Sequence, residues 1–164
     1  MSLLNRVIPL LLLLSLLSGC GFHLRGSGGE ALLPSNLQQV SIEGDRFSPF
    51  IVELRRQLQA RGAVLEAGEN ATRLRIIRQS FRERNLSVGS DGNVREKEIY
   101  LLVEFELRDA ANKVVAPRQA ITLVRDYFND ERQVLGQSTE AGVLREEMTR
   151  DAVQRLLERL RKQQ

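Results

Sequence analysis

The chain has 164 residues, and its 24 basic residues nearly balance its 21 acidic residues. Its single cysteine excludes an internal disulfide, and its single histidine excludes a metal site built from several histidines. This length accommodates one compact domain after an N-terminal segment.

The first residues have the pattern of a bacterial lipoprotein signal. Arg6 is followed by an apolar run of eleven residues, Val7–Leu17, and then by two small residues before Cys20. The run is shorter than the roughly 20 apolar residues that a membrane-spanning helix needs. We therefore predict that residues 1–19 are a signal peptide that is removed, and that Cys20 becomes the N-terminus with S-diacylglycerol and N-palmitoyl groups. An ordinary secretory signal is the alternative.

The residue after the cysteine indicates the membrane to which the protein is sorted. In lipoproteins with this type of signal, aspartate at that position marks retention in the inner membrane, whereas this chain has Gly21. We therefore expect a lipid anchor in the periplasmic leaflet of the outer membrane, where three acyl chains hold a protein stably. The weakly patterned, glycine-rich residues 20–36 predict a lipidated tether, and residues 37–164 a single domain.

The folded region is predicted to begin with a short strand and an amphipathic helix. Residues Gln38–Glu43 alternate between polar and apolar types, as in a strand. Ser48 then matches a helix N-cap, Pro49 the first helical position, and Gly62 a residue just past the helix C-terminus. The apolar face of this helix contains Ile51, Leu54 and Leu58.

Three long strands are predicted next. The first, Thr72–Val88, has Leu74 and Ile76 on one face and Arg73, Arg75 and Ile77 on the other. Asp91-Gly92 is a hairpin signal before the second strand. That strand has a wholly apolar face, which we expect in the core: Ile99, Leu101, Val103, Phe105 and Leu107. A turn at residues 110–113 leads into a third strand, Val114–Asn129.

A last helix is predicted over Thr139–Lys162, where apolar residues recur at helical spacing. The element order is therefore β-α-β-β-β-α. This order predicts an α+β fold, a two-layer sandwich in which two helices lie on one face of a four-stranded antiparallel or mixed sheet. The opposite sheet face carries charged residues, and we expect it to meet water or a polar partner.

The residue types needed for catalysis are not grouped along the chain. His23 lies in the tether, the thiol of Cys20 is expected to carry lipid, and the glycines at 26, 28 and 29 do not lie between a strand and a helix. We therefore expect no enzymatic activity, no metal site, no cofactor beyond the covalent lipid on Cys20, and no nucleic-acid partner.

Several short segments form a recognisable combination. They are Cys20–Gly26 (CGFHLRG), Leu54 with Gln57, Leu58 and Gly62, the Asp91-Gly92 turn with Glu96, Arg125–Asp130, Val134–Gly136, and Met148 with Asp151-Ala152. Together they resemble the LPS-assembly lipoprotein family LptE over essentially the whole chain. The resemblance implies a non-enzymatic partner of the outer-membrane β-barrel LptD. Such a protein plugs the barrel, assists its assembly and binds lipopolysaccharide (LPS) on its way to the outer leaflet.

Candidate LPS-binding residues follow from this resemblance, because lipid A carries phosphates and arginine binds phosphate well. The arms of the Asp91-Gly92 hairpin supply Arg82, Arg84, Arg95 and Lys97, and the next long loop supplies Arg132. Where relatives often carry lysine before the last helix, this chain has Gln137, and Arg132 could take its place. The alternative is that the hairpin charges pair with Glu83, Glu96 and Glu98 in a solvated ladder.

Two other functions are compatible with the same pattern. One is a lipoprotein carrier that captures an amphipathic ligand in a cavity between helices and sheet. The other is a pilot lipoprotein for another barrel or secretion complex, which binds an extended strand of its partner at a sheet edge.

Overall fold

A computed structural model describes residues 33–65, 68–128 and 134–162, with the side chains of the last segment described from residue 140 onward. A short 3-10 turn, Ser35–Leu37, precedes the regular elements. These are β1 (Gln39–Glu43), α1 (Pro49–Ala60), β2 (Val64–Leu65), β3 (Thr72–Val88), β4 (Val94–Arg108), β5 (Val114–Phe128) and α2 (Val134–Arg161). The predicted signal peptide, Cys20 and Arg132 lie outside the described residues.

The strands form one mixed sheet in the order β2-β1-β3-β4-β5. β1 runs parallel to both β2 and β3, whereas β3, β4 and β5 are antiparallel neighbours. The predicted α+β class with two helices and a mixed sheet is confirmed, but the predicted count of four strands is wrong. The fifth strand is the pair Val64–Leu65, which lies beside Gln39 and Val40. Two residues are too few to show an alternating pattern in the sequence.

Helix α1 begins and ends at the predicted signals. The hydroxyl oxygen of Ser48 accepts a hydrogen bond from the backbone N–H of Ile51 at 3.2 Å, and Pro49 is the first helical residue. Gly62 has a φ of 86°, a left-handed conformation that turns the chain back toward β1. The helix therefore begins and ends where its capping residues predict.

Helix α2 begins at Val134, earlier than the predicted start at Thr139. Gln137 therefore lies within the helix and not in a loop before it. The predicted start rested on the spacing of the apolar residues, and Gly136 within the first turns costs the helix only about 1 kcal/mol. In the part of the chain that the structure describes, neither helix is long and apolar enough to cross a membrane.

The core joins one face of the sheet to both helices. The predicted apolar face of β4 is fully buried, which confirms it as core. The same cluster contains Leu74 of β3, Ile121 and Leu123 of β5, Phe50, Leu54 and Leu58 of α1, and Met148, Ala152, Val153, Leu156 and Leu160 of α2. The β4 strand thus lies at the centre of the apolar packing, and its other face is left for a different role.

A β-bulge in β3 decides which side chains share that other face. The register shifts between Ile76, opposite Phe105, and Arg78, opposite Glu104. The extra residue, Ile77, is 42% exposed. Because one extra residue reverses the alternation, the even-numbered residues of β3 point toward the core before the bulge and away from it afterwards. We call the sheet face opposite the core the outer face: after the bulge it presents Arg78, Ser80, Arg82 and Arg84 of β3, beside Glu98, Tyr100, Leu102, Glu104 and Glu106 of β4.

Candidate ligand surface on the outer face of the sheet

The structure does not bring all of the predicted LPS-binding residues together. Arg82 lies opposite Tyr100, and Arg84 lies opposite Glu98, both on the outer face. Lys97 lies opposite Asn85, and the alternation of β4 puts it in the row of Ile99, on the other side of the sheet. The four cations of this hairpin are therefore divided between two faces.

Arg95 forms an ion pair within the turn between β3 and β4. Gly92 has a φ of 83°, as the hairpin signal predicts, and the N–H of Gly89 donates to the carbonyl oxygen of Asn93 at 2.7 Å. The guanidinium of Arg95 lies 2.6 Å from the carboxylate of Asp91 in the same turn. Both side chains are about half exposed, so water screens the pair and a phosphate could compete for Arg95.

Arg84 is part of a compact polar cluster with Glu98 and Tyr100. Its guanidinium forms an ion pair with Glu98 and lies over the ring of Tyr100, 5.2 Å from the centroid. Hydrogen bonds from Tyr100 and then Arg84 hold the pKa of Glu98 below its usual value, while the hydrogen bond to Glu98 and burial raise the pKa of Tyr100. For Arg84, the structure thus matches the alternative of pairing within a charge ladder.

A second network neutralises the opposite end of the outer face. Arg75 lies 2.9 Å from Glu43 and 2.7 Å from Glu106, and Arg108 lies 2.8 Å from the same Glu106 oxygen. Hydrogen bonds from Arg108 and then Arg75 lower the pKa of Glu106. Between the two networks, Glu104 accepts a hydrogen bond of 2.8 Å from Arg118 of β5. Glu98, Glu104 and Glu106 therefore each have an arginine partner.

A groove of about 450 Å³ lies on this face between the ion pairs. Its lining residues are Arg78, Ser80, Arg82, Glu83, Arg84, Tyr100, Leu102 and Thr122. Of the arginines among them, Arg78 was not a predicted candidate, because the sequence does not show where the register of β3 shifts. Only the bulge moves Arg78 to the outer face.

A second groove, of about 410 Å³, lies on the helix side over Phe81. Here the charges are compensated: Arg145 lies 2.5 Å from Glu83 and 5.9 Å from the centre of the Phe81 ring. Glu53, which also lines the groove, has its pKa lowered from 4.5 to about 2, chiefly by its hydrogen bond with Arg56. Among the described residues, no group of three histidine, cysteine or acidic side chains could hold a metal ion.

Comparison with known proteins identifies the family of this chain. The family model described as "LptE: Lipopolysaccharide-assembly" matches residues 37–160. The LPS-assembly lipoprotein LptE of Yersinia pestis (strain Pestoides F) is 30% identical over 162 residues, which cover 95% of this chain and 76% of that protein. The LptE of Yersinia pseudotuberculosis (strain YPIII) matches with the same identity and coverage.

Solved structures show the same fold. The crystal structure of rare lipoprotein B from Shewanella oneidensis has a TM-score of 0.67 and 28% identity, and the match covers 76% of this chain and 94% of that one. The solution structure of lipoprotein B from Nitrosomonas europaea has a TM-score of 0.69 and 29% identity, with 84% and 88% covered.

Proposed function

The chain belongs to the lipopolysaccharide-assembly family LptE, and on this premise we propose that it acts as a non-enzymatic plug of an LptD-like β-barrel in the outer membrane. In this role it assists assembly of the barrel and binds LPS for insertion at the outer leaflet. The coarser role, a lipoprotein of the cell envelope that serves LPS assembly, follows from the family itself.

The observation that carries the plug proposal is that the outer-face carboxylates of Glu98, Glu104 and Glu106 each have an arginine partner. Glu98 and Glu106 are only 8% and 9% exposed although they lie opposite the core, because arginine side chains cover them. An unpaired charge costs several kcal/mol when a partner covers it, whereas a charge that already has its partner costs much less. A face of this kind can be enclosed by the polar inner wall of a wide barrel.

The proposed lipid anchor and the folded body are both compatible with a plug. The lipid on Cys20 would hold the N-terminus in the periplasmic leaflet of the outer membrane, and the tether would let the body enter the barrel from that side. The single core cluster shared by both helices and one sheet face supports a two-layer body. Such a body has one polar sheet face that is free to meet the barrel wall.

Contact with LPS would use cations that remain accessible. Arg82 and Arg95 are exposed, and Lys97 is half-buried. Arg132 remains a candidate from the sequence. Arg84 is the weakest candidate, because its ion pair with Glu98 would have to break before it could bind phosphate. LPS contact is thus expected from only part of the predicted set.

The test is capture of the native complex. The full chain, with a C-terminal affinity tag, is purified from outer membranes in mild detergent, and the co-purifying barrel is identified by mass spectrometry. We expect an LptD-like barrel in stoichiometric amount, and we expect the body to resist added protease until the barrel is depleted. Absence of any barrel would favour the carrier of an amphipathic ligand, and capture of a different barrel or secretion complex would favour the pilot role.

A further inference from the structure

We propose that the groove between Arg78 and Arg82 on the outer face is a binding site for a glycolipid headgroup that carries two phosphates. The inference rests on the proposed function, since it takes the ligand to be the lipid A portion of LPS. This site differs from the candidate residues predicted from the sequence, because it leaves out Arg95 and Lys97 near the turn and adds Arg78.

The two arginines of this groove have no acidic partner that the structure describes. Within the described residues, neither Arg78 nor Arg82 has a carboxylate within ion-pair distance, although both lie in a face rich in acids. The acid opposite Arg78 is Glu104, and its carboxylate is held by Arg118 at 2.8 Å. The acid nearest to Arg82 along the outer face is Glu98, which Arg84 holds.

The remaining acids near the groove are also accounted for. Glu83 lines the groove, but its carboxylate lies 2.5 Å from Arg145 of α2. Asp126 lies on β5 opposite Glu98, two strands away from β3, or about 10 Å at the usual spacing between strands. The groove therefore has two cations whose charge the surrounding described side chains do not balance.

The two arginines are also spaced for a ligand with two phosphates. Arg78 and Arg82 are four residues apart on one strand, which separates their Cα atoms by about 13 Å at about 3.3 Å per residue. Their side chains leave the same face with Ser80 between them. A disaccharide that carries a phosphate at each end can bridge two such guanidinium groups, and each guanidinium can bind its phosphate through two N–H donors.

The groove has a floor between the two arginines. It is lined by the apolar side chain of Leu102 and by Ser80 and Thr122, which carry hydroxyl groups, while the ring of Tyr100 lies beside it under the guanidinium of Arg84. Sugar rings present C–H groups to apolar surfaces and hydroxyls to polar side chains, so this floor suits the sugar portion of the ligand.

The experiment compares two ligands and two matched variants. The full lipidated protein is immobilised in nonionic detergent, and the Kd is measured at low ionic strength for purified LPS and for the same LPS after enzymatic removal of its lipid A phosphates. The test variant is Arg78→Gln with Arg82→Gln. The control variant is Arg46→Gln with Arg150→Gln, which removes the same charge from exposed sites elsewhere.

We expect the wild type to bind phosphorylated LPS better than the dephosphorylated form. The test variant should bind phosphorylated LPS about tenfold more weakly or worse and lose the preference, since charge-assisted hydrogen bonds are lost at both ends. The control variant should keep the wild-type preference. Because wild-type preference for the phosphorylated ligand is itself required, the proposal can fail even if the test variant does not fold.

Other outcomes reject the groove in distinguishable ways. Equal Kd values for the test variant and the wild type would reject this site but leave LPS binding elsewhere intact. Loss of barrel capture with unchanged LPS binding would mean that the arginines contact the barrel wall. If the wild type bound neither ligand, the LPS part of the proposed function would fail as well, while barrel capture by the same preparation would test the plug separately.

Discussion

Arg75 on β3 and Glu106 on β4 lie directly opposite each other, and their side chains meet at 2.7 Å on the outer face. Glu106 also forms an ion pair with Arg108 of its own strand, at 2.8 Å. One carboxylate therefore links Arg75 on β3 with Arg108 on β4. Since Glu106 is 9% exposed, this network is less screened by water than an ordinary surface ion pair. Acid should therefore weaken this network by protonating Glu106.

Stability should fall when the paired carboxylates are protonated. The pKa of Glu53 is lowered from 4.5 to about 2 by Arg56, and the pKa values of Glu98 and Glu106 are shifted in the same direction. A carboxyl with a lower pKa in the folded chain stabilises the fold above its unfolded pKa and loses that contribution as pH falls. We therefore expect the free energy of unfolding to decrease as pH falls from 4.5 toward 2.

The acid dependence can be assigned with single variants. Urea unfolding at several pH values should show a shallower loss for Glu53→Gln than for the wild type, because the variant no longer titrates at that site. Glu158→Gln, a change at an exposed residue of α2, is the control and should leave the slope unchanged. An identical slope for Glu53→Gln and the wild type would contradict the assignment.

The two faces of β4 should respond differently to truncation. Phe105→Ala should reduce the free energy of unfolding by about 3–5 kcal/mol, because it leaves a cavity in the core. Glu104→Ala, at the adjacent residue on the outer face, should cost under about 1 kcal/mol, because its partner Arg118 is largely exposed. Denaturant unfolding measures both, and equal losses would mean that the faces are assigned incorrectly.

Membrane attachment should depend on Cys20. In the variant Cys20→Ser we expect an uncleaved or soluble form with an unchanged folded body, because acyl chains supply nearly all of the membrane affinity. Cell fractionation and the mass of the intact protein measure this outcome. A processed variant in the outer membrane, with the mass of the mature chain and no acyl groups, would refute the lipoprotein signal.

The hairpin turn can be tested separately from the groove. Arg95→Glu with Lys97→Glu should weaken LPS binding, and more strongly at low salt, where charges are screened over longer distances. Arg46→Glu with Lys113→Glu reverses the same amount of charge at other exposed positions and is the control. Binding that is unchanged in the hairpin variant at low ionic strength would restrict the turn to a contact with the barrel.

Much of the fold could be predicted because its signals are local. Ser48, Pro49 and Gly62 each satisfy a requirement of the backbone at a helix end, so their order alone locates α1. The alternation of β4 likewise follows from the period of a strand, and Gly92 supplies the positive φ of the first hairpin. The segments that resemble LptE also identified the family that the comparison then confirmed.

The candidate ligand surface was decided by tertiary structure. The bulge at Ile77 reverses which residues of β3 face the core, and nothing local in the sequence marks where the register with β4 shifts. The same holds for charge: Glu104 pairs with Arg118 of β5 and not with Arg78 opposite it, and this choice depends on three strands lying side by side. The sequence by itself determined α1, the three long strands, the core face of β4 and the family, because each depends on local pattern. Which arginines remain available to a ligand depends on contacts between residues far apart in the chain, and only the folded sheet decides them.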